Sequence, residues 1–520
     1  MQHSLLASTI CTMLAVLMAC SPPDSAPVGD PGQPFVSPPS SRQGLPPGNI
    51  VIDGFFEDWE SVKEAHIDTG DDGGQAVGVD FGTIKLTHDE RYLYIMMEVG
   101  VEVLLNNGQY LKLFLDTDND PQTGAQVEGI GAELEWTFGQ REVVLYTAEG
   151  RQTPKRPGET GVHAMPTVSS ERFEVAIPRD LTFNERPLLP EGSQVSIVLR
   201  DNTWNAQRQV DGDRAPNVDQ ALVYALGEGG QAPLPGLDLG RKDPQAIRIV
   251  SWNVLRDGIY QQDRQERFGR VLQAINPDII NFQELYNPEG VLALVQRWLP
   301  EHQWDIESHG DRTTLSRLPI VRGWPESYEP IHRRFTVVPI QVSDDQRMII
   351  FNAHMSFGDN DTGRQDEADS FAAYMLELII PGGRVDAPRK TPMVLLGDLN
   401  LVGQRQQLDT LLYGDIVNER RYGPPRPLDW DGTPLRDLAP RQTHRPLSHT
   451  WRSSTSSYWP GRLDYIIYTD SVMTASHSFI LDTETLADDD LQRHNLRSGD
   501  TRIASDHLPL VVDFVLHTQP

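Results

Sequence analysis

Cysteine is almost missing from this chain. The only two, Cys11 and Cys20, lie in the first 20 residues. Everything downstream therefore folds without disulfides, thiolate metal clusters or thiol nucleophiles. Long apolar runs are missing as well. No stretch reaches the roughly 18 uninterrupted apolar residues of a spanning helix, which excludes a multispan membrane protein. Basic side chains are scarce, with 45 Lys+Arg against 74 Asp+Glu and a net charge of −29. Residues 1–240 hold 15 basic and 35 acidic groups, net −20, and residues 241–520 hold 30 and 39, net −9. Neither half has the cationic excess that grips duplex nucleic acid by charge alone. The second half still has enough cations to line one local groove, and so many carboxylates suit a Mg²⁺ or Ca²⁺ site. What is present is a 520-residue chain, 38% apolar and 23% charged. That length and balance allow two soluble domains, each with its own core.

Leu5 to Ala19 is mostly apolar but too short to span a membrane, and reads as an export signal. It ends in Leu17-Met18-Ala19-Cys20, which resembles the lipobox of bacterial lipoproteins. The resemblance implies a signal peptide over residues 1–20, lipidation of Cys20, and attachment to a membrane surface by acyl chains only. A plain secretory signal cut near Ala19 is the alternative. Ser21 and Pro22 follow Cys20 with no Asp, which resembles outer-membrane sorting, periplasmic or surface-facing. Residues 21–49 contain nine prolines and read as a semi-rigid tether.

From Ile50 to about Ala225, short apolar or alternating runs are separated by polar turns, as in residues 92–97, 111–115 and 195–199. The pattern predicts an all-β sandwich over residues 50–227. Ile52-Asp53-Gly54, Asp58-Trp59, Tyr92-Leu93-Tyr94 and the run Phe114 to Asp120 resemble the carbohydrate-binding-module family 9-like sandwiches. That resemblance implies a carbohydrate partner. Asp116, Asp118 and Asp120 put three carboxylates on one turn, suited to Ca²⁺. Pro121 and Val127 stand where an EF-hand needs Gly and Glu, so it is not one, and a solvated turn is the alternative. Trp59, Trp136 and Trp204 are candidates for stacking on sugar rings, with core packing as the alternative. Residues 228–245, rich in Gly and Pro, read as the linker to a second domain over 246–520.

The second domain begins as strand, helix, strand. Residues 247–254 form an apolar strand reaching Asn253, residues 263–275 carry Phe268, Val271, Leu272 and Ile275 at helical spacing, and residues 279–284 form a strand ending in Glu284. Later apolar strands end in His354, in Asp398 and Asn400, and begin at Asp464 and after Asp506-His507. Singly, each polar end is an ordinary turn former or cap. Jointly, six strands that each deliver Asn, Glu, Asp or His to a loop boundary can assemble one cleft of metal-binding and proton-transfer groups.

Ser251-Trp252-Asn253-Val254, Asn281 to Leu285, Phe351 to Ser356, Leu395 to Asn400, Gly461 to Ile466 and Ala504 to Leu510, in this order, resemble the endonuclease/exonuclease/phosphatase superfamily, as does Thr313 to Ile320. The resemblance implies a four-layered α/β sandwich of two mixed sheets flanked by helices, hence an α+β chain with an all-β domain in front. It also implies metal-dependent phosphodiester hydrolysis, with Mg²⁺ or Mn²⁺ at the top edge of the sheets.

Such chemistry needs an activated water, a divalent ion and donors to the phosphoryl oxygens. Glu284 is the expected main metal ligand, with Asn253 beside it and Asp506 supporting that ion or a second one. Asp398 is expected to orient and deprotonate the water, and Asn400, two residues on along an extended chain, to donate to phosphate. His354 and His507 are expected to donate to developing charge or pass a proton, with Asp464 holding His507. His449-Thr450-Trp451 reads as site rim or core, and Tyr458-Trp459 as substrate contact or exposed loop. Asp398→Ala and His507→Ala are each expected to abolish turnover with little change in thermal midpoint. Three substrate readings stay open: extracellular nucleic acid, a lipid or small phosphoester in the manner of sphingomyelinases, or carbohydrate binding without catalysis.

Overall fold

The computed structural model describes residues 49–517, apart from 69–77, 184–185, 204–211, 218–219, 228–229, 233, 323–330, 332 and 381–386. The signal and lipidation at Cys20, almost all of the tether, and Trp204 lie outside the described residues.

Period-two burial builds the first half. Thr83–His88 turns Ile84, Leu86 and His88 inward and its other residues outward, as a strand with one buried face must. It lies in a five-stranded antiparallel sheet with the order Glu64–Ile67, Thr83–His88, Tyr92–Val103, Ser170–Pro178, His163–Met165. A second antiparallel sheet runs Arg214–Ala215, Gln194–Asp201, Leu111–Asp116, Leu134–Thr137, Glu142–Tyr146, Gln152–Lys155, with Leu222–Ala225 also on Gln194–Asp201. One core that includes Phe81, Ile95, Leu113 and Phe173 fills the space between them, giving the expected sandwich. The motif residues near its start serve packing. Glu174 is fully buried, and it accepts from the N–H groups of Asp53 and Gly54 and from Trp59 Nε1. Trp59 and Trp136 are 1% and 0% exposed, so neither is the sugar-stacking platform anticipated for it.

In the second half most strands are buried on both faces, which requires layers on both sides. Numbered from the first strand of this half, they are β1 (Ile247–Asn253), β2 (Ile279–Gln283), β3 (Asp305–His309), β4 (Arg312–Ser316), β5 (Phe335–Gln341), β6 (Arg347–His354), β7 (Met393–Asp398), β8 (Arg436–Leu438), β9 (Asp464–Tyr468), β10 (Met473–Ile480) and β11 (Leu510–Leu516). One mixed sheet has the order β3-β4-β2-β1-β11-β10 and the other β5-β6-β7-β9-β8, with β1/β2 and β6/β7 the parallel pairs. Ile249, Ile350, Leu396 and Val512 pack between the sheets. Helices α1 (Gln265–Ile275) and α2 (Val291–Trp298) cover the first sheet, and α3 (Asp361–Ile379) and α4 (Gln406–Tyr413) the second. This is the four-layered sandwich. In α1, Phe268, Val271, Leu272 and Ile275 are buried, and Asn276 ends it in the left-handed conformation. Among the described residues, no helix is long and apolar enough to cross a membrane.

The two sandwiches share a core. Trp459 of the second half is buried in the first, its ring 4.0 Å from that of Trp136 and its Nε1 donating to Phe138 O. Ile52 bridges Leu447 in parallel, and Thr167 Oγ1 donates to Arg462 O. Leu237 and Leu239, in the anticipated linker, are buried on the second half.

His163 and His449 stack across this interface at 4.1 Å, both buried. Burial, with Arg452, Arg445 and Arg502 nearby, holds His163 well below the ordinary imidazole value. Burial, His163 and the same arginines do so for His449, which also meets Gln442 Nε2 and Arg502 Nη2. Each is neutral when folded and gains a proton on unfolding below about pH 6.5. The unfolded chain then binds more protons, so stability falls with falling pH, by up to about 1.4 kcal/mol per pH unit per histidine. The thermal midpoint is expected to drop between pH 6.5 and 5, and less so in His163→Phe. Parallel curves for the two proteins would clear this pair of responsibility.

Candidate active site

Strand register assembles the centre. In the parallel β6/β7 pair His354 lies opposite Asp398, and in the antiparallel β7/β9 pair Asp398 lies opposite Asp464. Three strand ends therefore set His354, Asp398 and Asp464 in one row. In the other sheet Asn253 lies opposite Gln283, and the next residue, Glu284, turns away with φ 56°. Leu255, Arg256 and Asp257 are left-handed as well, with φ 50°, 52° and 59°, and such a run of non-glycine residues is costly backbone of the kind concentrated at functional sites. Gly397, at φ 131°, is required before Asp398, because a Cβ there would sit 2.1 Å from Ala353 O.

Two carboxylate–imidazole pairs converge on Asp398. His507 Nδ1 lies 2.8 Å from Asp464 Oδ2, and His354 Nδ1 2.6 Å from Asp311 Oδ2. Each places its Nε2 3.7 Å from Asp398 Oδ2, beyond hydrogen-bond range, so both face the cleft. Asn253 Nδ2 donates to Asp398 Oδ2 at 3.0 Å and to Glu284 Oε1 at 3.1 Å. Glu284, His354 and Asp398 each bring a ligand atom within 4.8 Å of the others, as do Asp398, Asp464 and His507.

Burial acts against every charge here and neighbours reverse it selectively. Burial would lower His507, but the Asp464 and Asp398 carboxylates outweigh it and push it up to about 10. His354 is raised in the same way by Asp311, Asp398 and Glu284. Burial raises Asp398 to about 6 against the opposing pull of His507. A buried carboxylate near 6 beside the His507 imidazolium can take a proton from an attacking water.

Several expectations change in detail. Asn253 turns its amide N–H groups to the two carboxylates and its Oδ1 to Leu255 N–H, so the role its contacts show is to hold Glu284 and Asp398 in place. Asn400 is left-handed at φ 49°, not extended. Its N–H donates to Asp398 Oδ1 and its Nδ2 to Met355 O, while it still lines the cleft. Asp506 stands at the rim, accepting from Trp451 Nε1 at 3.0 Å, apart from the Glu284 group. His449 belongs to the interface, whereas Trp451 is rim, and Thr450 Oγ1 accepts from the N–H of Asp464.

Asp311 was not singled out from the sequence. Its signal was a carboxylate two residues before the Thr313 to Ile320 segment. In the first half, the carboxylate that joins Asp116 and Asp118 is Glu133, not Asp120, which instead accepts from Gln122 N–H. Burial raises Glu133 to about 7.

Glu284, Asp311, His354, Asp398 and His507 line a cleft of about 1150 Å³. Its walls carry Arg141, Arg256 and Arg334, and the aromatics Tyr286, Phe357 and Tyr458. Tyr286, Phe357 and Tyr458 are 58%, 75% and 38% exposed.

Residues 250–507 match the Endonuclease/Exonuclease/phosphatase family. This part of the chain is an endonuclease/exonuclease/phosphatase domain. No curated protein matches the chain by sequence. Among solved structures, D. rerio TDP2 complexed with a single-strand DNA product is 16% identical, covering 52% of this chain and 99% of its own at TM-score 0.34. An endonuclease/exonuclease/phosphatase family protein from Leptotrichia buccalis is 14% identical, covering 52% and 100% at 0.34. The human Nocturnin catalytic domain is 15% identical, covering 55% and 97% at 0.29.

Proposed function

We propose that the chain is a divalent-metal-dependent phosphodiesterase that cleaves nucleic acid strands. The observation that carries this reading is the convergence of two carboxylate–imidazole pairs on buried Asp398, with Glu284 beside it, inside an arginine-lined cleft. The donor set fits a hard cation. Its carboxylate oxygens come from Glu284, Asp398 and Asp464, next to the imidazoles of His354 and His507, and Asp464 Oδ1 is buried without a hydrogen-bond partner among the described residues. Glu284 would hold a Mg²⁺ or Mn²⁺ ion, with Asp398 adjacent. When bound, the ion supplies charge neutralisation at a phosphoryl oxygen.

The chain's own groups do the rest. Water attacks phosphorus while Asp398 takes its proton. The bond from phosphorus to the leaving oxygen breaks, and an imidazolium Nε2–H of His507 or His354 returns a proton to that oxygen. Asn253 keeps Asp398 and Glu284 in register. The exposed aromatics offer stacking faces for unpaired bases, as single-strand binding sites do. The arginines place positive charge in a cleft that is otherwise rich in carboxylates. The lipobox-like end at Cys20 supports a location at the bacterial cell envelope, where the substrate is extracellular. The Asp116, Asp118 and Glu133 group is a second place where a hard cation such as Ca²⁺ fits.

The test offers plasmid DNA, RNA, single-stranded oligonucleotides, sphingomyelin and bis(p-nitrophenyl) phosphate, each with Mg²⁺ and with chelator. Nucleic acid strands should be cut only with metal, and Glu284→Gln should shift the metal titration by at least about tenfold. Hydrolysis confined to sphingomyelin or bis(p-nitrophenyl) phosphate rejects the nucleic-acid reading, and an unmoved titration rejects Glu284 as a ligand.

A further inference from the structure

One wall of the cleft does not belong to the matched domain. Asn106, Asn107 and Arg141 come from the first sandwich and line the same cavity as Asp398 and His507. Arg141 occupies the tight turn between Leu134–Thr137 and Glu142–Tyr146, left-handed at φ 58°. Its guanidinium is held on several sides. Its Cζ stacks 4.0 Å from the Tyr458 ring centroid, Nε donates to Asn106 O at 3.2 Å, and Nη2 reaches Asn107 Oδ1 at 3.5 Å. The nearest carboxylate, Asp359, is 4.0 Å away and 74% exposed, a weak partner for it.

A guanidinium fixed in this way has lost its rotamer freedom in advance, and its planar fork matches a phosphate. Glu284, Asp311 and Asp398 gather negative charge at the reacting centre, with Asp506 at the rim, so a second phosphate is favoured only where a cation meets it. Arg141, set in the first sandwich, is such a cation.

We propose that Arg141 is a specificity-determining residue that binds a phosphate neighbouring the scissile one. The first sandwich thereby selects phosphodiesters that carry an additional phosphate over those that do not. This rests on the phosphodiesterase reading above.

The test uses the full chain and three dithymidine substrates with the same internal linkage: TpT, pTpT and TpTp. Bis(p-nitrophenyl) phosphate serves as a control. Wild type is expected to show a kcat/KM at least about tenfold higher for pTpT or TpTp than for TpT, the scale of one charge-assisted hydrogen bond. Arg141→Met, which keeps the stem against Tyr458, should bring that ratio close to one, and Arg141→Lys, which keeps the charge but loses the stacked planar fork, should retain only part of it. A wild-type ratio of one, or a ratio that survives Arg141→Met, overturns the proposal while the nuclease stands. Loss of all turnover in both variants makes Arg141 structural and overturns it as well. If wild type hydrolyses only bis(p-nitrophenyl) phosphate, the nucleic-acid substrate and the proposal fall together. If it hydrolyses nothing, the phosphodiesterase reading falls too.

Discussion

Asp398→Asn should lower kcat by about a thousandfold, within the range for loss of a general base. The amide cannot accept the proton from water, whatever the pH. Stability should respond far less. Asp398 is 2% exposed and its charge is disfavoured by burial, so neutralising it removes a cost while loosening its contact with the two imidazoles. Those imidazoles keep their own partners, Asp311 and Asp464. The new carbonyl can still accept from Asn400 N–H, although one amide now faces the donor of Asn253, a loss of about 1 kcal/mol. Matched denaturant melts should therefore agree within about 2 kcal/mol. A larger fall, with the activity loss following the unfolded fraction, would demote Asp398 to a structural residue.

His507→Ala should be as damaging to turnover, yet here the geometry revises the sequence expectation of an unchanged midpoint. Asp464 is fully buried, Oδ1 already lacks a partner, and His507 is its cation. Removing one member of a buried pair strands the other, at about 3–5 kcal/mol. The pair's contribution is complete below the ordinary histidine value near 6.5 and is lost as pH rises through about 10, so it is largely present at pH 7. The double variant His507→Ala with Asp464→Asn should recover much of the lost stability and none of the activity. Such a rescue separates the two roles of the histidine. If the double variant is as unstable as the single, the ion pair is not what held the fold, and if it regains turnover, His507 is not a proton donor.

What could be read from the sequence was set by distance along the chain. Strand ends carrying Asn253, Glu284, His354, Asp398 and Asp464 were visible because each apolar run announces its own boundary. Asp311 was less visible because it stands in the turn ahead of its strand, where no apolar run points to it, and its task is to grip His354 Nδ1 at the end of another strand. The substitution of Glu133 for Asp120 comes from pairing between strands. Counting along one turn groups Asp116, Asp118 and Asp120. Antiparallel register instead sets Leu115 opposite Leu134 and so delivers Glu133, the residue just before it, to Asp116. Asn400 escaped because alternation presumes an extended chain, and its φ of 49° ends the alternation. The wall formed by Arg141 depends on docking of two cores, which no local pattern encodes.

Trp459 bears on how such a protein can change through evolution. Its indole fills a socket in the preceding sandwich, against Trp136 and Phe138, while its own chain segment leads straight into the strand that starts at Asp464. Recombination that swapped either half for a foreign counterpart would leave an apolar ring without a socket or a socket without its ring, on the lining of the cleft that holds Glu284 and Asp398. The halves are therefore bound to be inherited as a matched pair rather than traded as interchangeable modules.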